Sequence, residues 1–234
     1  MSNNRGIFKG YRNSPEIISE AVYLYYRFPL SLRDVEALLA WRGIAVTYET
    51  IRVWKDRFGP EYARSLKRRR ARPGQRWHLD EVFVKIGGVT HYMWRAVDDN
   101  GYVLDVVVTR RRNKRAAYRF LRRLVGNRRR LPRVVVTDGL GSYVEPIAKL
   151  LPKAEHRVSQ YLNNRAECSH QPIRVRERRM KRFKSRRQAE TFARVHGVIH
   201  GDIAPRRHGT RWHHSMRELR RENWTEITKR LAAA

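Results

Sequence analysis

Acidic residues are scarce in this chain. Twenty-two aspartates and glutamates stand against 52 lysines and arginines in 234 residues, a net charge of +30. Such a chain repels itself unless a polyanion is near, which points to nucleic acid and away from basic partners. Cysteine is almost missing. Cys168 stands alone, which excludes an internal disulfide and any thiolate zinc knuckle. No apolar run approaches the roughly 20 residues of a spanning helix, so no membrane partner is expected. Met1–Gly10 is polar rather than signal-like, and a cytoplasmic setting fits. Hydrophobic residues still make up 41% of the chain, enough for one sizeable core and a small appended domain.

The first third reads as three helices. Ser14-Pro15 is a start signal, and Ile17, Ile18, Ala21, Val22 and Tyr25 follow at helical spacing. Ser31 caps a second helix with Leu32, Val35, Leu38 and Leu39 as its buried stripe, and Gly43 ends it. Thr47 caps a third, which runs to Phe58-Gly59-Pro60. Helix, short turn and helix form a helix-turn-helix pattern, in which Tyr48, Glu49, Arg52 and Lys55 face a DNA major groove. Trp41, Trp54 and Trp224 are expected in cores. Arg64–Arg72 holds six basic residues before Pro73-Gly74, a basic linker whose Arg68, Arg69 and Arg70 lie along phosphates.

From Arg76 the period switches to that of a strand. Arg-Trp-His-Leu-Asp-Glu-Val-Phe-Val places Trp77, Leu79, Glu81 and Phe83 on one face and His78, Asp80 and Val82 on the other. Turns at Gly87-Gly88 and Asp98–Gly101 make a three-strand meander ending at Thr109. Asn113–Val125 is helical, Val134–Val136 is a short central strand, Tyr143–Leu151 a helix and Glu155–Val158 a short strand. The pattern is α/β with mixed strand directions.

A third region opens at Leu162-Asn163-Asn164-Arg165-Ala166-Glu167. The asparagines cap a helix on which Glu167 and His170 share a face, continued by Arg174, Arg178 and Lys181. Ile173–Arg187 packs nine basic residues against one acid, and Pro172 should kink the helix or delay its start. Ala189–Ile199 is helical, Pro205–His214 irregular and Ser215–Leu231 a last amphipathic helix.

Asp80 lies inside an apolar strand, Asp138 ends a central strand where open α/β sheets place their sites, and Glu167 sits in the first turns of a helix. Three acids without local basic partners repel one another when gathered, unless a divalent cation such as Mg²⁺ lies between them. Two such ions about 4 Å apart clamp the attacking and leaving oxygens of a phosphoryl transfer. Competing acids have plainer readings. Asp98 and Asp99 serve a turn, Asp105 pairs with an arginine, and Glu81 is structural, on the face opposite Asp80.

The motifs Trp77–Lys85, Val97-Asp98, Arg112–Ala117, Thr137-Asp138-Gly139, Glu155-His156-Arg157 and Leu162–Glu167 resemble the insertion-sequence transposases of the IS6 family, in the same order across roughly residues 8–200. The resemblance implies a DDE integrase core with an RNase H-like fold behind an N-terminal helix-turn-helix. It implies a domain of residues 1–63, a linker of 64–75, a core of 76–200 and a C-terminal helical tail of 201–234. Asp80, Asp138 and Glu167 become the catalytic, metal-holding acids, with two Mg²⁺ for which Mn²⁺ substitutes. Twenty-eight residues separate Asp138 from Glu167, and Glu155 and Glu177 are the alternatives for the third acid.

The implied reaction cuts a phosphodiester at the element's terminal repeats, frees a 3′-OH and joins it to target DNA, giving a cointegrate. The implied protein is at least a homodimer, prokaryotic and nucleoid-associated. A helix-turn-helix regulator with a non-catalytic second domain is the alternative.

Overall fold

The alternation that begins at Arg76 runs unbroken to the Gly87-Gly88 turn, and in the computed structural model it forms one long strand, β1 (Arg76–Ile86). The structure describes residues 6–69, 73–126, 130–159, 163–203 and 210–234, and the side chains of 164–169 and 202–220 fall outside that description. Gly87 and Gly88 have φ of +57° and +82°, as a tight hairpin requires. β2 (Val89–Asp98) and β3 (Val103–Thr109) complete an antiparallel meander.

β4 (Val134–Thr137) then pairs parallel to β1, and β5 (Glu155–Val158) parallel to β4, so the sheet order is β3-β2-β1-β4-β5. This mixed sheet, with helices on both faces, is the RNase H-like arrangement.

One face is covered by α4 (Lys114–Gly126) and α5 (Val144–Leu150). Trp77 and Leu79 of β1 meet Ala117, Phe120, Leu121 and Leu124 of α4 there, with Tyr143 and Ile147 closing the cluster. The other face receives α6 (Asn164–Arg179) along β1 and β2. It also receives α7 (Arg186–Ile203), so close to β3 that a Cβ at Gly197 would stand 3.0 Å from Val103. Pro172 lies within α6 rather than delaying its start; its ring nitrogen leaves the Cys168 carbonyl without a helical donor.

β3 is an edge strand, and edges left bare invite pairing with other chains. Here Glu190 accepts from the Val108 N–H at 3.1 Å, while Arg123 and Arg194 pair with Asp105. The expected arginine pair of Asp105 is thus present twice.

The chain divides into two compact units, Met1–Arg70 with Val198–Ala234, and Ala71–Gly197. The first holds α1 (Pro15–Arg27), α2 (Leu32–Trp41), α3 (Tyr48–Arg69) and α8 (Thr210–Ala233). Ser31 and Asp34 form a reciprocal capping box at α2, and Gly43 closes that helix with φ of +77°. Thr47 Oγ1 accepts from the Thr50 N–H at 3.3 Å and Glu36 from the Tyr48 N–H at 3.0 Å, which starts α3.

Several expectations need correction. α3 does not stop at Phe58-Gly59-Pro60 but continues through the supposed linker to Arg69. Gly59 is a packing glycine: a Cβ there would lie 2.7 Å from the Tyr26 ring. Burial of Tyr62, Ala63 and Leu66 beyond Pro60 outweighs one missing backbone bond. Trp41 is 84% exposed, because Val35 and Leu39 carry the buried stripe of α2 and the last residue of that helix points elsewhere. Residues 210–214 are helical. The final helix packs with the N-terminal helices instead of standing as a tail: Trp224 stacks on Tyr62 at 4.2 Å and donates from Nε1 to Ser19 at 2.8 Å.

Candidate active site

Register builds the site. His78 on β1 is level with Val136 on β4. Two residues further along come Asp80, still on β1, and Asp138, just past the end of β4, and their carboxylates approach within 4.8 Å. Gly139, at φ +103°, turns the chain away at once, and Asp138 Oδ1 accepts from the Leu140 N–H at 3.3 Å. Asp138 is exposed, whereas the Asp80 side chain is only 13% exposed. Neither carboxylate has a lysine or arginine within ion-pair distance among the described residues.

Asp80 is held at both oxygens. Oδ1 accepts from the Glu81 N–H at 2.9 Å, and Oδ2 lies 3.1 Å from His170 Nε2. Burial pushes the His170 pKa down, so the ring is neutral and donates through Nε2. His170 is 4% exposed and lies against Asp80.

Across the hairpin, Arg95 is the register partner of Asp80. It is buried, which lowers its pKa to about 10, and it stays charged at neutral pH.

Glu81 alternates to the face of α4, as its strand position dictates, yet the site includes it. Carboxylate oxygens of Asp80, Glu81 and Asp138 lie within 4.8 Å of one another. Its own oxygens are occupied. Arg112 Nε donates at 2.6 Å and the Tyr143 hydroxyl at 3.1 Å. Burial raises the Glu81 pKa against the pull of Arg112, with the charges of Asp138 and Asp80 adding to the rise. Burial likewise holds the Tyr143 phenol well above its ordinary range, so it remains a donor.

Glu167 lies on α6 one turn before His170, on the helix that covers Asp80; its side chain is outside the described residues. The alternatives for the third acid sit elsewhere. Glu155 begins β5, level with Val134, four residues from Asp138, and pairs with Arg157. Glu177 accepts from the Lys85 N–H at 3.3 Å, five residues beyond Asp80 on β1. Asp98 is fully buried and accepts from the N–H groups of Gly74, Asn100 and Tyr102, the turn role expected of it.

Asn163 was expected only to cap. Its amide donates to the Leu79 carbonyl at 2.9 Å, while its buried Oδ1 has no partner among the described residues. Asn163, His170 and Arg174 share a 390 Å³ cleft with Asp80, Glu81 and Asp138. Phe83 links this cleft to a second groove lined by Arg178, Lys181 and Lys85. Arg174, Arg178 and Lys181 are all exposed, a basic track leading away from the acids.

In the helix-turn-helix, Arg52 is exposed beside Glu49, and Tyr48 is half-buried under Arg33 at 4.5 Å. Lys55 does not face outward. It falls four residues after Ile51 and three before Phe58, on the buried stripe of α3, and its Nζ sits 5.6 Å from the Tyr25 ring. Arg57, one turn beyond Val53, is on the exposed side instead. Arg68 is exposed, Arg69 reaches Asn223 and Glu226 of α8, and Arg70 lies outside the described residues.

A sequence profile of the transposase DDE domain, IS240 type, matches residues 74–202, over half of the chain. The transposase of insertion sequence IS257 in transposon Tn4003 of Staphylococcus aureus is 32% identical over 169 residues, 70% of this chain and 75% of that protein. The transposase of the IS431mec element from S. aureus strain Mu50 matches to the same extent.

The chain belongs to the IS6 family of DDE transposases. The RNase H-like sheet of this transposase also resembles solved viral proteins. One is a chain of the simian T-cell lymphotropic virus intasome bound to the PP2A regulatory subunit B56 gamma, at TM-score 0.46 and 17% identity, over 60% of this chain and 53% of that one. This chain thus spans about half the length of that protein. Another is the HTLV-2 integrase catalytic core in complex with magnesium, at TM-score 0.37 and 15% identity, over 52% of this chain and 82% of that one. No described helix of the transposase is long and apolar enough to cross a membrane.

Proposed function

We propose that Asp80, Asp138 and Glu167 are the catalytic acids of this transposase and hold two Mg²⁺ ions, with Mn²⁺ as a substitute. The observation that carries this reading is the pair Asp80 and Asp138, two carboxylates within 4.8 Å of Glu81 and of each other, with no lysine or arginine paired to either among the described residues. Oxygen donors gathered without a counter-charge fit a hard divalent ion. Bound ions would supply the positive charge that activates the attacking oxygen and stabilises the leaving one.

The chain's own residues do the rest. His170 fixes Asp80 through Oδ2 and leaves lone pairs on both oxygens for coordination. Asn163 ties the residue before α6 to β1, so that Glu167 starts its helix at the acids. Glu81, engaged by Arg112 and Tyr143, keeps β1 and the 3₁₀ turn Gly141–Tyr143 in one arrangement around Asp138. Arg174, Arg178 and Lys181 hold the backbone of the strand being cut.

Water attacks the phosphorus at the element's end, the bond to the 3′ oxygen breaks, and that oxygen leaves as a 3′-OH. The 3′-OH then attacks a target phosphorus in the same site, the bond from that phosphorus to the target's own 3′ oxygen breaks, and that oxygen leaves as a new 3′-OH, so element and target become joined on the way to a cointegrate. The helices of the N-terminal unit read the terminal repeats, with Arg52 toward the duplex and Tyr48 beside it. Two ends react together, so the working form is at least a dimer, acting on chromosomal DNA in a prokaryotic cytoplasm.

The test uses the full chain, a duplex carrying the terminal repeat that flanks the coding sequence, and a plasmid target. Asp80→Asn, Asp138→Asn and Glu167→Gln should each abolish Mg²⁺-dependent cleavage and joining while leaving end binding intact. Joining that survives all three changes sinks the mechanism.

A further inference from the structure

We propose that an arginine cluster at the β3 edge of the core, separate from the acid site, holds the phosphate backbone of the target duplex. The inference rests on the two-step reading above, in which one core must hold two DNA molecules.

The cluster forms where β3 ends at Thr109. Arg110 and Arg111 leave the strand, Arg115 and Arg119 project one turn apart from the start of α4, and Arg186 and Arg187 open α7. All six are exposed, and none has an ion-pair partner among the described residues. Two clefts, of 830 and 260 Å³, both include Arg110, Arg119 and Arg186, so the six form one surface. Glu190 is the single acid on it, and its carboxylate is committed to Arg123, Arg194 and the Val108 N–H.

Two helix starts add to the potential. The Ala116 N–H bonds to the Asn113 side chain at 3.0 Å and the Gln188 N–H to Ser185 Oγ at 3.1 Å, so both capped N-termini abut the arginines. Six unneutralised guanidinium groups crowded on one edge repel one another, and a chain of phosphates relieves that repulsion by releasing its counterions. Guanidinium is also the side chain whose planar fork suits phosphate oxygens.

This surface does not belong to the track beside the acids. The clefts lined by Arg174, Arg178 and Lys181 share no residue with the two described here. Asp80 is level with Arg95, Arg95 with Val106, and Thr109 lies three residues further, so the cluster begins about 14 Å from Asp80 by strand spacing and rise. The strand being cut follows the track at the acids, which leaves the edge cluster to another duplex. The six come from a strand end and two helix starts rather than from one helix, so contact is with backbone and tolerant of sequence, as target DNA demands.

The experiment uses the full-length protein, the terminal-repeat duplex and a supercoiled plasmid target. The triple change Arg110→Ala, Arg119→Ala and Arg186→Ala should leave end binding and end cleavage within about twofold of wild type. Joining should fall at least tenfold near 0.15 M salt, and the salt slope of plasmid binding should become shallower by about 2 to 3. The corresponding triple change to lysine should restore most of the joining. Arg119→Glu alone should give the same pattern and guards against a folding defect in the triple variant. Unchanged joining with an unchanged slope overturns the proposal, and so does an equal loss of end cleavage, which would assign the cluster to the element's end. Displacement of the plasmid by single-stranded RNA at matched phosphate concentration would overturn it too. Failure of the two-step reading is told apart by Asp80→Asn: if cleavage and joining persist there, the reading fails whatever the cluster does.

Discussion

The side-chain amide of Asn163 donates to the backbone carbonyl of Leu79 at 2.9 Å, joining the residue before α6 to the residue before Asp80. This one bond sets the start of the helix that carries Glu167 and His170 against the strand that carries Asp80. Asn163 is 3% exposed, so losing the donor leaves a buried carbonyl unpaired, a cost of about 1–3 kcal/mol. Asn163→Asp keeps the shape, removes the donor and adds a negative charge beside three others. The variant should melt several degrees below wild type and lose more than tenfold in joining. Hydrogen exchange across 163–179 should rise more than exchange in α4; equal protection in both helices would reject the anchoring role.

Much of this was legible before any coordinates. The strand period placed Asp80 and Glu81 on opposite faces, and the apolar Val134–Val136 run ending in Asp138 marked a central strand. Hidden were matters of level rather than of face. Alternation says which side a residue takes, not which neighbour it meets, so the convergence of Glu81 on Asp138 and the placing of Arg95 across from Asp80 needed the register. Lys55 and Trp41 were misplaced for a related reason. Residue type suggested an exposed lysine and a buried tryptophan, while helical phase put Lys55 on the Ile51–Phe58 stripe and Trp41 off the Val35–Leu39 stripe. Gly59-Pro60 looked like a stop because close packing against Tyr26 leaves no mark in one sequence.

Glu81 separates two roles for a carboxylate at this site. Arg112 and Tyr143 already occupy its oxygens, and Arg112 is 41% exposed, so its charge falls back on solvent when the partner goes. Glu81→Gln keeps an acceptor for Tyr143. It should cost about 1 kcal/mol in stability and leave joining within about tenfold of wild type, where Asp80→Asn abolishes it. A steep rise in the Mg²⁺ concentration needed by Glu81→Gln would instead make Glu81 a ligand.

Glu190 gives a pH dependence with a definite sign. Burial raises its pKa, but the hydrogen bonds from Arg123 and the Val108 N–H and the charges of Arg194 and Arg123 outweigh that, and the folded value falls below the ordinary 4.5. A carboxylate lowered by folding stabilises the fold fully above its unfolded value and loses that contribution as pH falls through the folded one. Glu190→Gln should therefore melt below wild type at pH 7. The gap should close between about pH 4.5 and the lower folded value, where the wild-type carboxylate also becomes neutral. Paired thermal melts from pH 7 to pH 3 check this, and a gap that stays constant with pH would refute it.

Trp224 tests whether the last helix is part of the N-terminal unit. Its ring stacks on Tyr62 at 4.2 Å, and its Nε1 donates to Ser19, whose hydroxyl lies 2.7 Å from Thr228. Thr228 lies 2.9 Å from the Tyr62 hydroxyl, so three helices share one buried polar and aromatic knot. Trp224→Ala removes the ring and one of the two partners of Ser19, which keeps Thr228, a loss of about 3–5 kcal/mol, large against the whole stability of a unit this size. End binding should fall at least tenfold at 37 °C and recover in part on cooling, because the recognition helix is held by the same packing. Trp224→Phe keeps the stack without the donor and should lose only about 1–2 kcal/mol. Circular dichroism melts and end-duplex binding, measured together, decide it: full end binding by Trp224→Ala at 37 °C would mean the helix-turn-helix stands without α8.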